Sequence, residues 1–168
     1  MIWNLPIALL LLGAWSTEVG AQIAQLSERD SGNKTVSAHI GETIEIAVEA
    51  RFGRFSASGF DLYIGLPHNT FEIVHNGLQD SGEVEPFQRG YLFKDATIVA
   101  NHVVTPNQGL PDHLAVMHYV VVSGPGENRG RTGSGTLATF RLRCMTPVSE
   151  ARINVFSNPV FESRLVSA

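Results

Sequence analysis

The sequence predicts an all-β protein, an antiparallel sandwich or jelly roll. Three observations carry that expectation. Nearly every apolar cluster from Val36 to Phe156 alternates with period 2, turn-forming residues punctuate the clusters, and no stretch shows the 3.6-residue recurrence of an amphipathic helix. A parallel sheet needs crossover helices, so strands without them must pair antiparallel. The 168 residues suit one domain.

At the start of the chain, LPIALLLLGAW, residues 5 to 15, is an apolar run too short to span a bilayer and leads into Val19, Gly20 and Ala21, small residues suited to signal-peptidase cleavage before Gln22. Residues 1–21 are therefore expected to be a signal peptide, although MIWN supplies no Lys or Arg. Residues 22–34 read as a linker and 35–168 as the folded domain. In ETIEIAVEARF, Ile44, Ile46, Val48, Ala50 and Phe52 share one face, and Thr43, Glu45, Glu49 and Arg51 share the other. GFDLYIGL repeats the pattern with Phe60, Leu62, Ile64 and Leu66 inward and Asp61 and Tyr63 outward. Shorter strands are expected at 70–74, 91–93, 96–104 and 151–156. Turns are expected at His39-Ile40-Gly41, Gly53, Pro67-His68-Asn69, Asp80-Ser81-Gly82, Pro106-Asn107, Pro111-Asp112 and Pro147.

The glycine-rich stretch SGPGENRGRTGSGT, residues 123 to 136, invites comparison with a phosphate cradle. Such a loop must open onto a helix N-terminus, where backbone donors and the helix dipole favour an anion. These glycines lead instead into LATFRLRC, with Ala138, Phe140, Leu142 and Cys144 alternating against Thr139, Arg141 and Arg143. HLAVMHYVVV, residues 113 to 122, precedes them as another strand. The stretch is accordingly expected to be the connector of a long hairpin.

Composition narrows the function classes. The formal net charge is −4, or about −3 once Glu18 leaves with the leader, and there is no basic stripe to draw nucleic acid. Arginine supplies nearly all the positive charge, only Lys34 and Lys94 being lysine, which favours bidentate or stacked contacts. Cys144 is the one cysteine, so no intrachain disulfide forms, and its apolar side of a strand makes it a buried thiol.

Catalytic constellations are weak. The six histidines, at 39, 68, 75, 102, 113 and 118, lack metal-ligand spacing: His113 and His118, five apart on a strand, face opposite ways. Asp112-His113 lacks a serine in a nucleophile-elbow context, since Ser134 falls in the glycine-rich connector and not between strand and helix. Glu83 and Glu85 read as a solvated loop rather than an acid–base pair. No catalytic residue, metal ligand or cofactor site is assigned.

The order of the pieces resembles the cohesin domain, the scaffold module with which bacteria plug enzymes and surface proteins together. VSAHIGETIEIAVEA is similar to the family's opening strands, GFDLYIGLPHNTFEIV to its strand, Pro-containing turn and continuation, and the segment from His113 to Cys144 to its late strand pair. Where cohesins usually carry Tyr-Asp-Pro, this chain has Gly65-Leu66-Pro67. The resemblance implies a nine-stranded flattened jelly roll, no catalysis, and a secreted dockerin-like protein partner bound on one sheet face in extracellular polysaccharide-related assemblies. The matching outward positions are Asp61, Tyr63, Met117 and Tyr119, with Glu127, Asn128, Arg129 and Arg131 of the connector. Aromatic and arginine side chains are what protein interfaces favour. Strand 114–122 is apolar on both sides, so Met117 and Tyr119 suit a second buried face equally well.

Two further function classes stay open. A carbohydrate-binding sandwich would stack exposed aromatics on sugar rings; both tryptophans lie in the leader, leaving Tyr63, Tyr91 and Tyr119. A small hydrolase is the third class. After leader cleavage no membrane span is expected.

Overall fold

A computed structural model describes residues 9–12, 14–16, 23–75, 77–78, 84–104, 113–124, 130–155 and 163–167. In chain order the strands are β1 (Leu9–Leu12), β2 (Ala14–Ser16), β3 (Ile23–Glu28), β4 (Thr43–Pro67), β5 (Phe71–Val74), β6 (Gly77–Leu78) and β7 (Val84–Glu85). They continue with β8 (Phe87–Arg89), β9 (Thr97–Val104), β10 (Leu114–Val122), β11 (Arg131–Cys144), β12 (Glu150–Val155) and β13 (Arg164–Ser167). Among the described residues every strand pairing is antiparallel except the short parallel contact of β1 with β12. The all-β expectation holds.

β4 organises the molecule. Its first part pairs with β3 and β11, and β11 pairs onward with β5 and β8. Its second part pairs with β10, β12 and β13, and β10 pairs onward with β9. The change of partners falls around Gly53 to Ala57, where the β11 register slips on either side of Gly133, itself at φ 90°. A left-handed φ costs glycine little, because it has no Cβ to clash. The strand must fold back there: Phe52 and Phe60 both reach the ring of Phe93, at centroid distances of 6.2 and 5.3 Å, although a straight strand would hold them roughly 26 Å apart. Two layers result, and one core lies between them.

The alternation read from the sequence fills that core. Ile44, Ile46, Val48, Ala50 and Phe52 from one layer, and Phe60, Leu62, Ile64 and Leu66 from the other, are all buried. Aromatic rings bridge the gap: Phe140 meets its cross-strand neighbour Phe87 edge-on at 5.5 Å within one layer, and Phe87 stacks on Tyr119 of the other at 5.0 Å. Edge-to-face and offset pairs of this kind add to the area they bury. Cys144 is buried as expected, its thiol pKa raised by desolvation.

Three expectations need correction. β10 and β11 are not a hairpin: they never pair, and each pairs with a different part of β4. Local alternation shows that two segments are strands, but not that they are neighbours. Residues 23–28 are not linker, because β3 runs beside β4 and buries Leu26. Tyr91–Phe93 is a 3-10 turn, not a strand. The described part of the expected leader, residues 9–12 and 14–16, forms β1 and β2 beside β12 and β3. The turns expected at Asp80-Ser81-Gly82, Pro106-Asn107 and Pro111-Asp112, and the carboxylate of Glu83, lie outside the described residues.

Candidate docking face

The outer face of the β9–β10–β4 layer carries a compact polar and aromatic group. Period 2 turns Asp61 and Tyr63 away from the core that receives Phe60, Leu62 and Ile64. The register then sets Tyr63 opposite His118, and His118 opposite His102, in one row across three strands. Tyr63 and His118 stack at 4.2 Å with their planes 4° apart, and His102 meets His118 edge-on at 5.2 Å. The Nε2 of His118 lies 2.8 Å from Oδ1 of Asp61. Nε of Arg164, on β13, stands 3.9 Å from the other carboxylate oxygen. Beneath Tyr63, Val104 and Val116 form a small apolar cluster of their own.

Burial dominates the electrostatics. Desolvation lowers the His118 pKa below its ordinary value; the hydrogen bond and charge of Asp61 oppose that shift, and His102 adds to it. His118 is thus a neutral ring at neutral pH. Desolvation raises the Tyr63 phenol, helped by Asp61 and opposed by Arg164. Ser163 accepts a hydrogen bond from the backbone N–H of Tyr63 at 2.9 Å and donates to its carbonyl at 3.3 Å. A serine engaged with backbone in this way fixes the strand and is not a nucleophile activated by the Asp61–His118 pair. Among the described residues no three His, Cys, Asp or Glu side chains are grouped to hold a metal ion.

Of the sequence-predicted contact residues, the structure brings together Asp61 and Tyr63. It corrects Met117 and Tyr119: both are 0% exposed and point into the core. The inward side of β10 is the odd-numbered one, with Ala115 and Val121: Tyr119 packs beside Phe60 of the same layer and against Phe87 across the sandwich. Burial drives the Tyr119 phenol pKa up to about 12. Arg131 stands at the start of β11 opposite Ala57 and pairs with Asp95 at 3.7 Å rather than with the Asp61–Tyr63 group. Glu127, Asn128 and Arg129 lie outside the described residues. Sequence reasoning missed His102, His118 and Arg164. The signal for His118 was parity: once Met117 and Tyr119 face inward, the residue between them faces out.

No family profile matches the sequence, and no curated protein is significantly similar to it. Solved structures do match. One is a chain of a type II cohesin–X–dockerin complex from Acetivibrio cellulolyticus, with TM-score 0.57 and 12% identity over 84% of this chain and 86% of that one. Another is the second type II cohesin module of an adaptor scaffoldin from the same organism, with TM-score 0.51 and 12% identity over 98% of this chain and 80% of that one. The fold is cohesin-like. At such identities the cohesin-like sandwich is shared while the side chains that choose a partner are free to differ. The layer that carries Tyr63 in this cohesin-like domain is framed by β9 and β12, with β10 and β4 between them.

Proposed function

We propose that this chain is an exported, non-catalytic protein-binding module. It docks a dockerin-type partner on the outer face of the β9–β10–β4 layer, in extracellular polysaccharide-related assemblies. The observation that carries the reading is the Tyr63–His118–Asp61 group. A stacked aromatic pair, held by a charge-assisted hydrogen bond on a sheet face, is a preorganised contact element that costs little entropy to engage. The cohesin-like fold supports it, since one of its structural neighbours comes from a cohesin–X–dockerin complex. Export is supported by the apolar run of residues 5–15 and the Val19-Gly20-Ala21 site. No helix of the described residues is long and apolar enough to cross a membrane.

The test is capture of a purified type II dockerin module by the immobilised chain. Tyr63→Ala should weaken capture by about 1–2 kcal/mol, roughly five- to thirtyfold, while leaving the melting temperature nearly unchanged. Capture indifferent to Tyr63→Ala and His118→Ala would remove this face from consideration. Polysaccharide binding abolished by Tyr63→Ala would turn the reading of this face towards a carbohydrate module.

A further inference from the structure

The other layer carries a second surface of different chemistry. On its outer side the register lines up Ser27, Ala47, Thr139 and Gln88 across β3, β4, β11 and β8. Three of these side chains are short, and they floor an open cleft of ≈ 550 Å³. Ser27 and Thr139 are 6% and 8% exposed, so each is more than nine-tenths buried. Both line the cleft, with their hydroxyls open to it.

Tyr91 stands at the rim and is 77% exposed, the largest exposure of any big hydrophobic side chain among the described residues. Its position is enforced. Two residues on, Phe93 is anchored in the core against Phe52 and Phe60. One residue back, the Gly90 N–H donates to the Leu137 carbonyl at 2.9 Å, and a Cβ on Gly90 would lie 2.2 Å from the Thr136 carbonyl oxygen. The 3-10 turn between these fixed points can only hold Tyr91 outward. An exposed aromatic ring beside a polar trough is a stacking platform for a ring-shaped, hydroxylated ligand.

Charge narrows the ligand further. Arg29 and Arg89 line the cleft, and the Lys94 ammonium sits 5.3 Å from the Tyr91 ring centroid. Glu45 engages Arg29, and Glu49 accepts a hydrogen bond from Thr136 at 2.7 Å. Of the charged residues that line the cleft, the two arginines stand against the one carboxylate of Glu49, on a chain whose formal charge is −4. We infer that the cleft bounded by Tyr91, Arg29 and Arg89 is a binding site for acidic, uronate-bearing oligosaccharide. Tyr91 stacks on a sugar ring, the Ser27 and Thr139 hydroxyls meet sugar hydroxyls, and the arginines meet the carboxylate. The site is independent of the docking face.

The test is calorimetric titration of the chain with oligogalacturonate at physiological salt, with cello-oligosaccharide and dextran sulfate as comparison ligands. Saturable oligogalacturonate binding is expected, at least tenfold tighter than cello-oligosaccharide. It should be weakened at least tenfold by Tyr91→Ala and severalfold by Thr139→Val, and left unchanged by Tyr63→Ala. Should Thr139→Val lower the melting temperature, Ser27→Ala repeats the hydroxyl test. Four results would each overturn the inference: no saturable binding, equal affinity for the neutral oligosaccharide, indifference to Tyr91→Ala, or dextran sulfate binding as tightly with no dependence on Tyr91.

Discussion

At the scale of single residues, His118 is where burial and hydrogen bonding oppose each other. Its pKa lies below the ordinary 6.5 because desolvation outweighs Asp61. A histidine depressed in the folded state binds its proton less readily than in the unfolded chain. Its contribution to stability is therefore present above about pH 6.5 and is lost as pH falls through that value towards the folded pKa. Imidazole resonances followed by NMR should show His118 titrating below 6.5. Asp61→Asn should lower it further, by removing the charge that favours the imidazolium. Phe140 makes a second residue-scale case. It is fully buried against Phe87, so Phe140→Ala should cost about 3–5 kcal/mol in denaturant unfolding. Phe140 was legible in the sequence because strict alternation names the inward face of a strand with one wet side. Met117 was not, because β10 is apolar on both sides and alternation there has no sign.

At the scale of elements, two connections depart from what local pattern suggested. The stretch between β10 and β11 joins strands that share no hydrogen bonds, and their partners lie in different layers. The ends of that stretch nevertheless meet along one edge of β4, where Val122 stands opposite Gly59 and Arg131 opposite Ala57. Replacing residues 125–130 with Asn-Gly should therefore leave cooperative unfolding intact, as read by thermal denaturation, because the length of such a connector costs little entropy; loss of cooperativity would show that the stretch packs into the fold. The 3-10 turn at Tyr91–Phe93 was read as a strand because Tyr, Leu and Phe all favour strands. What overrode that propensity is tertiary: Gly90 pressed against the β11 backbone and Phe93 drawn into the core. Gly90→Ala should destabilise the chain by about 1–3 kcal/mol, since backbone atoms and not a flexible side chain occupy the space of the new methyl group. β3 was missed for a simpler reason. Leu26 is the one deeply buried apolar side chain among its described ones, too little pattern to mark a strand.

On the scale of the whole molecule, the class of fold was readable because long-range order in a sandwich repeats one local rule. The docking group was only half readable. Asp61 and Tyr63 come from one strand, but their partners His118, His102 and Arg164 arrive through pairings that no local pattern specifies. The core cluster of the described residues runs from Leu26 onward. Removing residues 1–21 should accordingly leave a cooperatively folded chain, and N-terminal sequencing of the exported protein should begin near Gln22. The run of β4 through both layers has a mechanical consequence. A partner tugging at Tyr63 pulls on the same covalent backbone that carries Glu49 in the opposite layer. Tension thus passes along a peptide chain flanked by strands in each layer, in shear against their hydrogen bonds, instead of prying the two layers apart. A tether anchored this way yields only when many such bonds give way together.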